Sequence, residues 1–102
     1  MIKVLFKSPY TKNIEELDIE NTLEAIQELV CGYIEVVPTD IYDKVFMVVN
    51  EEGKLYDLEP NFHYYNDIIV GNVIFVSVDN KGNFKSLSKN QVKAIKKYFG
   101  IN

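Results

Sequence analysis

Imidazole and thiol chemistry would rest on single residues here, because His63 is the one histidine and Cys31 the one cysteine. With no second histidine or cysteine at ligand spacing, no zinc site is expected. A histidine-assisted nucleophile would need Ser8, Ser77, Ser86, Ser88 or Cys31 carried to His63 by the fold. No local signature marks such a pair, so no catalytic residue is assigned. Glu15-Glu16 and Glu51-Glu52 are adjacent carboxylates, and neighbours on a strand or turn point apart. They read as solvated turns rather than as an acid and base sharing one substrate. Asp79-Asn80-Lys81-Gly82 has the composition of a calcium loop but lacks the distal glutamate in register, so it reads as a hairpin turn. Gly71 and Gly82 do not form a phosphate-cradling pattern.

One stretch has no clean period and mixes rings with amides and a carboxylate: Asn61, Phe62, His63, Tyr64, Tyr65, Asn66 and Asp67. Tyrosine supplies contact area and a polar tip at low entropic cost. Asn61 and Asn66 donate and accept, His63 can change charge near neutral pH, and the tyrosines offer stacking faces. The candidate binding residues are therefore Asn61, Phe62, His63, Tyr64, Tyr65 and Asp67, on a loop held by a rigid scaffold. The plainer reading is that two or three of these rings cap the core beneath that loop.

Composition limits the remaining classes. The chain of 102 residues is read as one domain, 47% apolar and 25% charged, with a formal net charge of −4. That size buries enough surface for a core without covalent staples. A lone cysteine excludes an intrachain disulfide and suits a reducing cytosol, so the expected location is the cytoplasm. Met1–Tyr10 lacks the apolar core of a secretory leader, and no apolar run reaches the ~20 residues a membrane span needs. All eleven basic residues are lysine, and all fifteen acidic residues lie between Glu15 and Asp79. Residues 80–102 carry Lys81, Lys85, Lys89, Lys93, Lys96 and Lys97 and no acid. A basic tail can meet phosphate, but a body this acidic repels duplex nucleic acid, and late-helix lysines complement the helix dipole.

The elements that must position these residues centre on Asn21–Val37. Asn21 is read as an N-cap with Glu24 as its capping-box partner. Leu23, Ile26, Leu29 and Val30 give one buried helical stripe. Gly32 is expected to take the left-handed stop. Tyr33–Val37 follows as a strand, ended by Pro38, with Ile34 and Val36 facing the helix. Before this unit, Met1–Lys7 and Ile14–Ile19 form a hairpin, with Leu17 and Ile19 inward. After it, Lys44–Asn50 reads as a strand covered on both faces, by a helix on one side and by a second layer or a partner on the other. A symmetric second copy is the commonest such cover, so a homodimer is expected. Asn50–Gly53 is predicted as a type I turn with Gly53 left-handed, returning along Lys54–Leu58. Asp67–Val70, a bend at Gly71-Asn72 and the strong strand Val73–Val78 come next, followed by a turn into Phe84–Ser86. In the last helix Ser88 is the N-cap, Gln91 its capping-box partner, and Leu87 and Val92 a hydrophobic staple. Val92, Ile95 and Phe99 make its buried stripe and Gly100 its stop. The fold class is α+β: an antiparallel sheet of about five or six strands with two helices.

The start MIKVL, the unit TLEAIQELVCGYIEVV, the turn NEEGKL, the pair Pro60-Asn61 and the run DIIVGNVIFV resemble the family known as domain of unknown function 3846. The resemblance runs from Met1 to about Val78 and implies a fold and an origin in phages, mobile elements or Gram-positive bacteria. It brings no established chemistry, and the FHYY segment departs from the family pattern. The expected function is a non-enzymatic binding protein of phage or mobile-element origin that inhibits or modulates host machinery, host defence included, through a host protein partner. The alternatives are a small-ligand binder that sequesters a nucleotide-type signal and a nucleic-acid-associated accessory protein. No cofactor or metal is expected. A basic pocket lined by aromatics would favour the ligand class, and an exposed apolar or acidic face with no pocket the partner class.

Overall fold

The computed structural model describes residues 1–101. Its centre is the strand that the sequence marks most strongly. Val73–Val78 is buried at every position, as a strand covered on both faces requires. Numbered in chain order, the strands are β1 (Ile2–Lys7), β2 (Glu15–Ile19), β3 (Ile34–Pro38), β4 (Val45–Asn50), β5 (Pro60–Tyr64), β6 (Asp67–Val70), β7 (Val73–Val78) and β8 (Phe84–Lys85). The helices are α1 (Leu23–Val30) and α2 (Lys89–Tyr98). Six strands form an antiparallel sheet in the order β2-β1-β7-β4-β3, with β8 also on β7. β5 and β6 make a separate antiparallel hairpin.

Alternation along the strands divides the core into two clusters, one on each face of the sheet. On one face Ile2, Val4, Val48, Ile74, Val76 and Val78 meet Ile26 and Val30 of α1. On the other, Leu5, Val45, Met47, Val49, Val73 and Phe75 meet Val92 and Ile95 of α2 together with Tyr64 and Ile69 of the hairpin. The second layer over β4 thus comes from the same chain, and burial of Val45–Val49 requires no partner. The reason for expecting a homodimer does not survive this arrangement.

Both hairpin strands at the N-terminus lie where the pattern places them, Val4 opposite Leu17 and Ile2 opposite Ile19. α2 also follows its signals. The Ser88 side chain accepts from the Gln91 N–H at 3.1 Å, and the Gln91 side chain accepts from the Ser88 N–H at 2.8 Å. Gln91 does more than its capping role. Its amide donates to the Asp43 carbonyl at 3.1 Å and to Ser77 Oγ at 2.9 Å. This ties α2 to the one polar side chain of β7.

α1 departs from its signals at both ends. Thr22, not Asn21, is the cap, and its hydroxyl accepts from the Ala25 N–H at 3.2 Å. Asn21 instead donates to the Phe84 carbonyl. Leu23, now the first residue of the helix, stays 54% exposed. At the other end Cys31, with φ 64°, takes the left-handed position expected of Gly32. The Gly32 N–H closes on the Gln27 carbonyl at 3.0 Å, the 6→1 bond of a Schellman end. Gly32 is needed for space, since a Cβ there would lie 2.7 Å from Asn50 Nδ2. That amide donates to the carbonyls of Val30 and Cys31 at 3.1 and 3.2 Å and so caps the helix from β4.

Three further expectations are corrected. Residues 51–57 do not return as a strand. Asn50 Oδ1 accepts from the Glu52 N–H, and the bonds Gly53 N–H to Asn50, Tyr56 to Glu52 and Leu58 to Gly53 wind the segment into successive turns. Gly53 is not left-handed, whereas Asp57 is, at φ 53°. In the opposite sense, the segment from Asn61 to Asp67, expected on a loop, has Asn61–Tyr64 in strand β5 and Asp67 in β6. β3 behaves as expected at Ile34, which packs on the α1 side. Val36 on the same face remains 41% exposed, because β3 is the outermost strand and has a strand neighbour on one side only.

Candidate functional site

The β5–β6 hairpin is where the candidate residues lie, and its pleat sorts them. Pro60 is opposite Val70 and Phe62 opposite Ile69, so Asn61 is the extra residue of a bulge. The bulge re-aims the Asn61 side chain. Its amide donates to the carbonyls of Lys7 and Gly71 at 2.9 and 2.8 Å, and its oxygen accepts from Lys7 Nζ at 2.6 Å. Lys7 Nζ also reaches the carbonyls of Ser8 and Thr11 and lies 5.8 Å from the Phe62 ring centroid. Burial holds the Lys7 amine below the usual lysine range. Asn61 is therefore a clamp between the hairpin and β1.

Beyond the bulge the strand alternates. Phe62 packs against Phe75 and Phe99, with ring centroids 6.2 and 4.9 Å away. Tyr64 is buried, and its hydroxyl donates to Asp40 Oδ1 at 2.7 Å while accepting from the Asp40 N–H at 2.8 Å. Burial first, and then the bond to the Asp40 carboxylate, push its hydroxyl pKa up. These two rings cap the core, as the plainer reading has it. His63 is exposed. Tyr65 is 72% exposed at the hairpin turn, with φ 55°, its ring edge-on to Tyr64. Asn66 is exposed beside it. Asp67 forms an ion pair with Lys54. That hydrogen bond first, and the Ile68 N–H, hold its carboxyl below the usual range.

The hairpin is one wall of a larger feature. Between β3–β4 and β6 runs a groove of about 410 Å³. Its floor is apolar, built from Val37, Met47, Val49 and Ile69, with Leu55 and Ile68 beside it. Its polar rim carries the carboxylates of Glu35, Glu51, Glu52 and Asp67 and one ammonium, Lys54, which Asp67 already engages. A second depression of about 320 Å³ shares Asn50 and Glu52 with the groove and adds Tyr33 and Tyr56. Both tyrosines, and Leu55, are exposed. The result is a continuous acidic and apolar surface.

Of the candidate residues, Tyr64 and Asp67 line the groove, and Asn61, Phe62, His63 and Tyr65 do not. The contributions of Glu35, Glu51, Glu52, Leu55 and Ile68 were not foreseen. The one cue to them was a pair of large apolar residues, Leu55-Tyr56, inside a charged turn. At the opposite end of the sheet, Lys3, Lys89 and Lys93 surround a depression of about 400 Å³ together with Glu16 and Asp18. Lys96 pairs with Glu16 at 3.7 Å, so part of the C-terminal lysine charge is answered locally. Among the described residues no group of three or more His, Cys, Asp and Glu side chains is placed to hold a metal ion. No helix there is long and apolar enough to cross a membrane.

A model of the family described as "Domain of unknown function (DUF3846)" matches residues 2–100. No curated protein and no solved structure matches the chain.

Proposed function

Since the chain belongs to the domain of unknown function (DUF3846) family, whose description carries no activity, we propose a function from the site alone: a non-enzymatic module that binds a basic segment of a partner protein. The observation that carries this reading is the rim of the groove. Four carboxylates surround an apolar floor, and the single ammonium among them is already paired. A phosphate-bearing ligand would meet like charge from four carboxylates, whereas a lysine or arginine with apolar neighbours meets complementary charge over an apolar floor. The discriminating feature of the nucleotide reading, a basic pocket lined by aromatics, is not what surrounds this groove. A phage or mobile-element protein acting on a host protein, host defence included, is one setting in which such a module works.

Panning a display library of random peptides against the immobilised protein tests the reading. Recovered peptides are expected to be rich in lysine or arginine with apolar neighbours. Their binding is expected to fall with added salt and to be lost in Glu51→Lys and Glu52→Lys. Recovery of acidic peptides, or tight binding of a nucleotide in equilibrium dialysis, would overturn it.

A further inference from the structure

Resting on that reading, we infer that the partner segment binds as an added strand on β3, and that its residues alternate between basic and apolar. β3 ends the sheet, and its one strand neighbour is β4. Tyr33 accepts from the Glu51 N–H at 2.8 Å and the Thr39 N–H donates to Val45 at 3.3 Å. Bonded pairs alternate along an antiparallel ladder. In the register Ile34 opposite Asn50 through Pro38 opposite Phe46, Glu35 and Val37 then bond toward β4. Ile34, Val36 and Pro38 point their backbone outward. The free edge therefore offers the N–H groups of Ile34 and Val36 and the carbonyls of Ile34, Val36 and Pro38. Proline ends it, which limits pairing to a short, defined register.

The opposite edge of the sheet is guarded. Glu15, Glu16 and Asp18 occupy β2, and charged side chains on an edge deter strand pairing. β3 presents only Glu35 on the groove face, beside Val37, and half-exposed Val36 on the other. Side chains of an added strand would alternate in the same way. Those on the groove face meet Glu35, Glu51 and Asp67, so lysine or arginine fits there. Those on the other face continue the apolar row of Ile34 and Val36. A second copy is disfavoured as the occupant. Of the two twofold pairings that use both free N–H groups, one sets Glu35 opposite Glu35, where like charges destabilise a ladder, and the other sets Glu35 opposite Val37; neither brings a basic residue to the acidic rim.

The probe is a synthetic peptide of alternating lysine and valine, blocked at both ends. Its controls are the glutamate–valine counterpart and the same peptide N-methylated on alternate amides. Expected results are binding of the lysine–valine peptide alone and slowed hydrogen exchange at Ile34 and Val36. Val36→Pro and Glu35→Lys are each expected to weaken binding about tenfold or more. Val36→Pro removes an N–H that has no partner among the described residues. Should it not fold, the N-methylated peptide removes the same ladder from the other side. If the peptide binds and Glu51→Lys abolishes binding while exchange at Ile34 and Val36 is unchanged, strand addition is wrong and the groove reading stands. If no peptide binds at millimolar concentration, the inference is overturned, and the panned peptides judge the groove separately. A dimer in light scattering that Val36→Pro dissolves would make a second copy the occupant and overturn it as well.

Discussion

Tyr64→Phe separates what the ring contributes from what the hydroxyl contributes. The hydroxyl holds two bonds to Asp40, donating to its carboxylate and accepting from its N–H, at 2.7 and 2.8 Å. A hydrogen bond to a charged group contributes roughly 1.5–3 kcal/mol net. The Asp40 groups are only part-buried, and water can replace the lost oxygen, so a cost of about 1.5–2 kcal/mol is expected. For a domain of this length that is a fall in melting temperature of about 10 °C. The pH dependence is the sharper test. The hydroxyl pKa is raised in the folded chain by burial and then by the Asp40 carboxylate. Below the ordinary tyrosine value of about 10 both states keep the proton, and the stabilisation is complete. Above it the unfolded chain ionises first, and the advantage is lost as pH rises through the folded value. Lys7, its pKa lowered by burial, acts in the opposite sense over the alkaline range, but it is common to both proteins and cancels in their difference. Chemical denaturation at a series of pH values should give a constant gap between parent and Tyr64→Phe up to about pH 10, closing above it. Equal midpoints at neutral pH, or a gap that does not close, would refute the assignment of the Tyr64–Asp40 link.

The other side chains give direct stability tests. Ser88→Ala should lower stability by about 1 kcal/mol through loss of the capping box, read from the denaturation midpoint. Asn50→Ala leaves two carbonyls at the end of α1 and the Glu52 N–H without their side-chain partner; about 2–3 kcal/mol should be lost in a thermal melt. Cys31→Gly should raise stability by about 0.5–1 kcal/mol, because a left-handed residue loses its Cβ penalty and only part of that returns as chain entropy. Tyr65→Ala should change stability by less than about 0.5 kcal/mol, against about 3–5 kcal/mol for Tyr64→Ala, both with circular dichroism as the check on folding.

What was legible in the sequence depended on whether one local rule decided the matter. Val73–Val76 and Val45–Val49 are apolar without a break, and both lie in strands covered on two faces. Ser88, Gln91, Leu87 and Val92 carry a complete N-terminal signature, and α2 begins there. The errors fall where two local readings competed and a distant residue chose between them. Asn21 and Thr22 can each cap a helix, and the Phe84 carbonyl engages Asn21. Cys31 and Gly32 can each end it, and the Asn50 amide needs the room at Gly32. Asn50–Gly53 suits either a hairpin or a helical turn. The pairing of β4 with β3 and β7 leaves no place for a return strand, so the segment winds instead.

The aromatic segment hid its period for a separate reason. A bulge at Asn61 starts the alternation at Phe62, and tyrosine serves equally as an inward ring at Tyr64 and an outward one at Tyr65. Polarity therefore does not alternate where burial does. The acidic rim of the groove has no local signature, because its carboxylates come from β3, from the turn after β4 and from β6. Glu35, Glu51, Glu52 and Asp67 are ordinary surface acids until β6 is folded over β4. What fixes β6 there is the clamp of Asn61 on Lys7 and Gly71, the Tyr64 link to Asp40 and the rings of Phe62, Phe75 and Phe99. Of the candidate binding residues, Asn61, Phe62 and Tyr64 thus hold the hairpin in place, while Asp67 stands on the rim itself. Phe62 and Tyr64 seat the hairpin, Asn61 sets its angle, and the acidic rim stands where the seated hairpin meets the free edge of β3. Substitutions at Asn61 or Tyr64 should then alter binding together with stability, whereas Glu35→Lys and Glu51→Lys should alter binding alone.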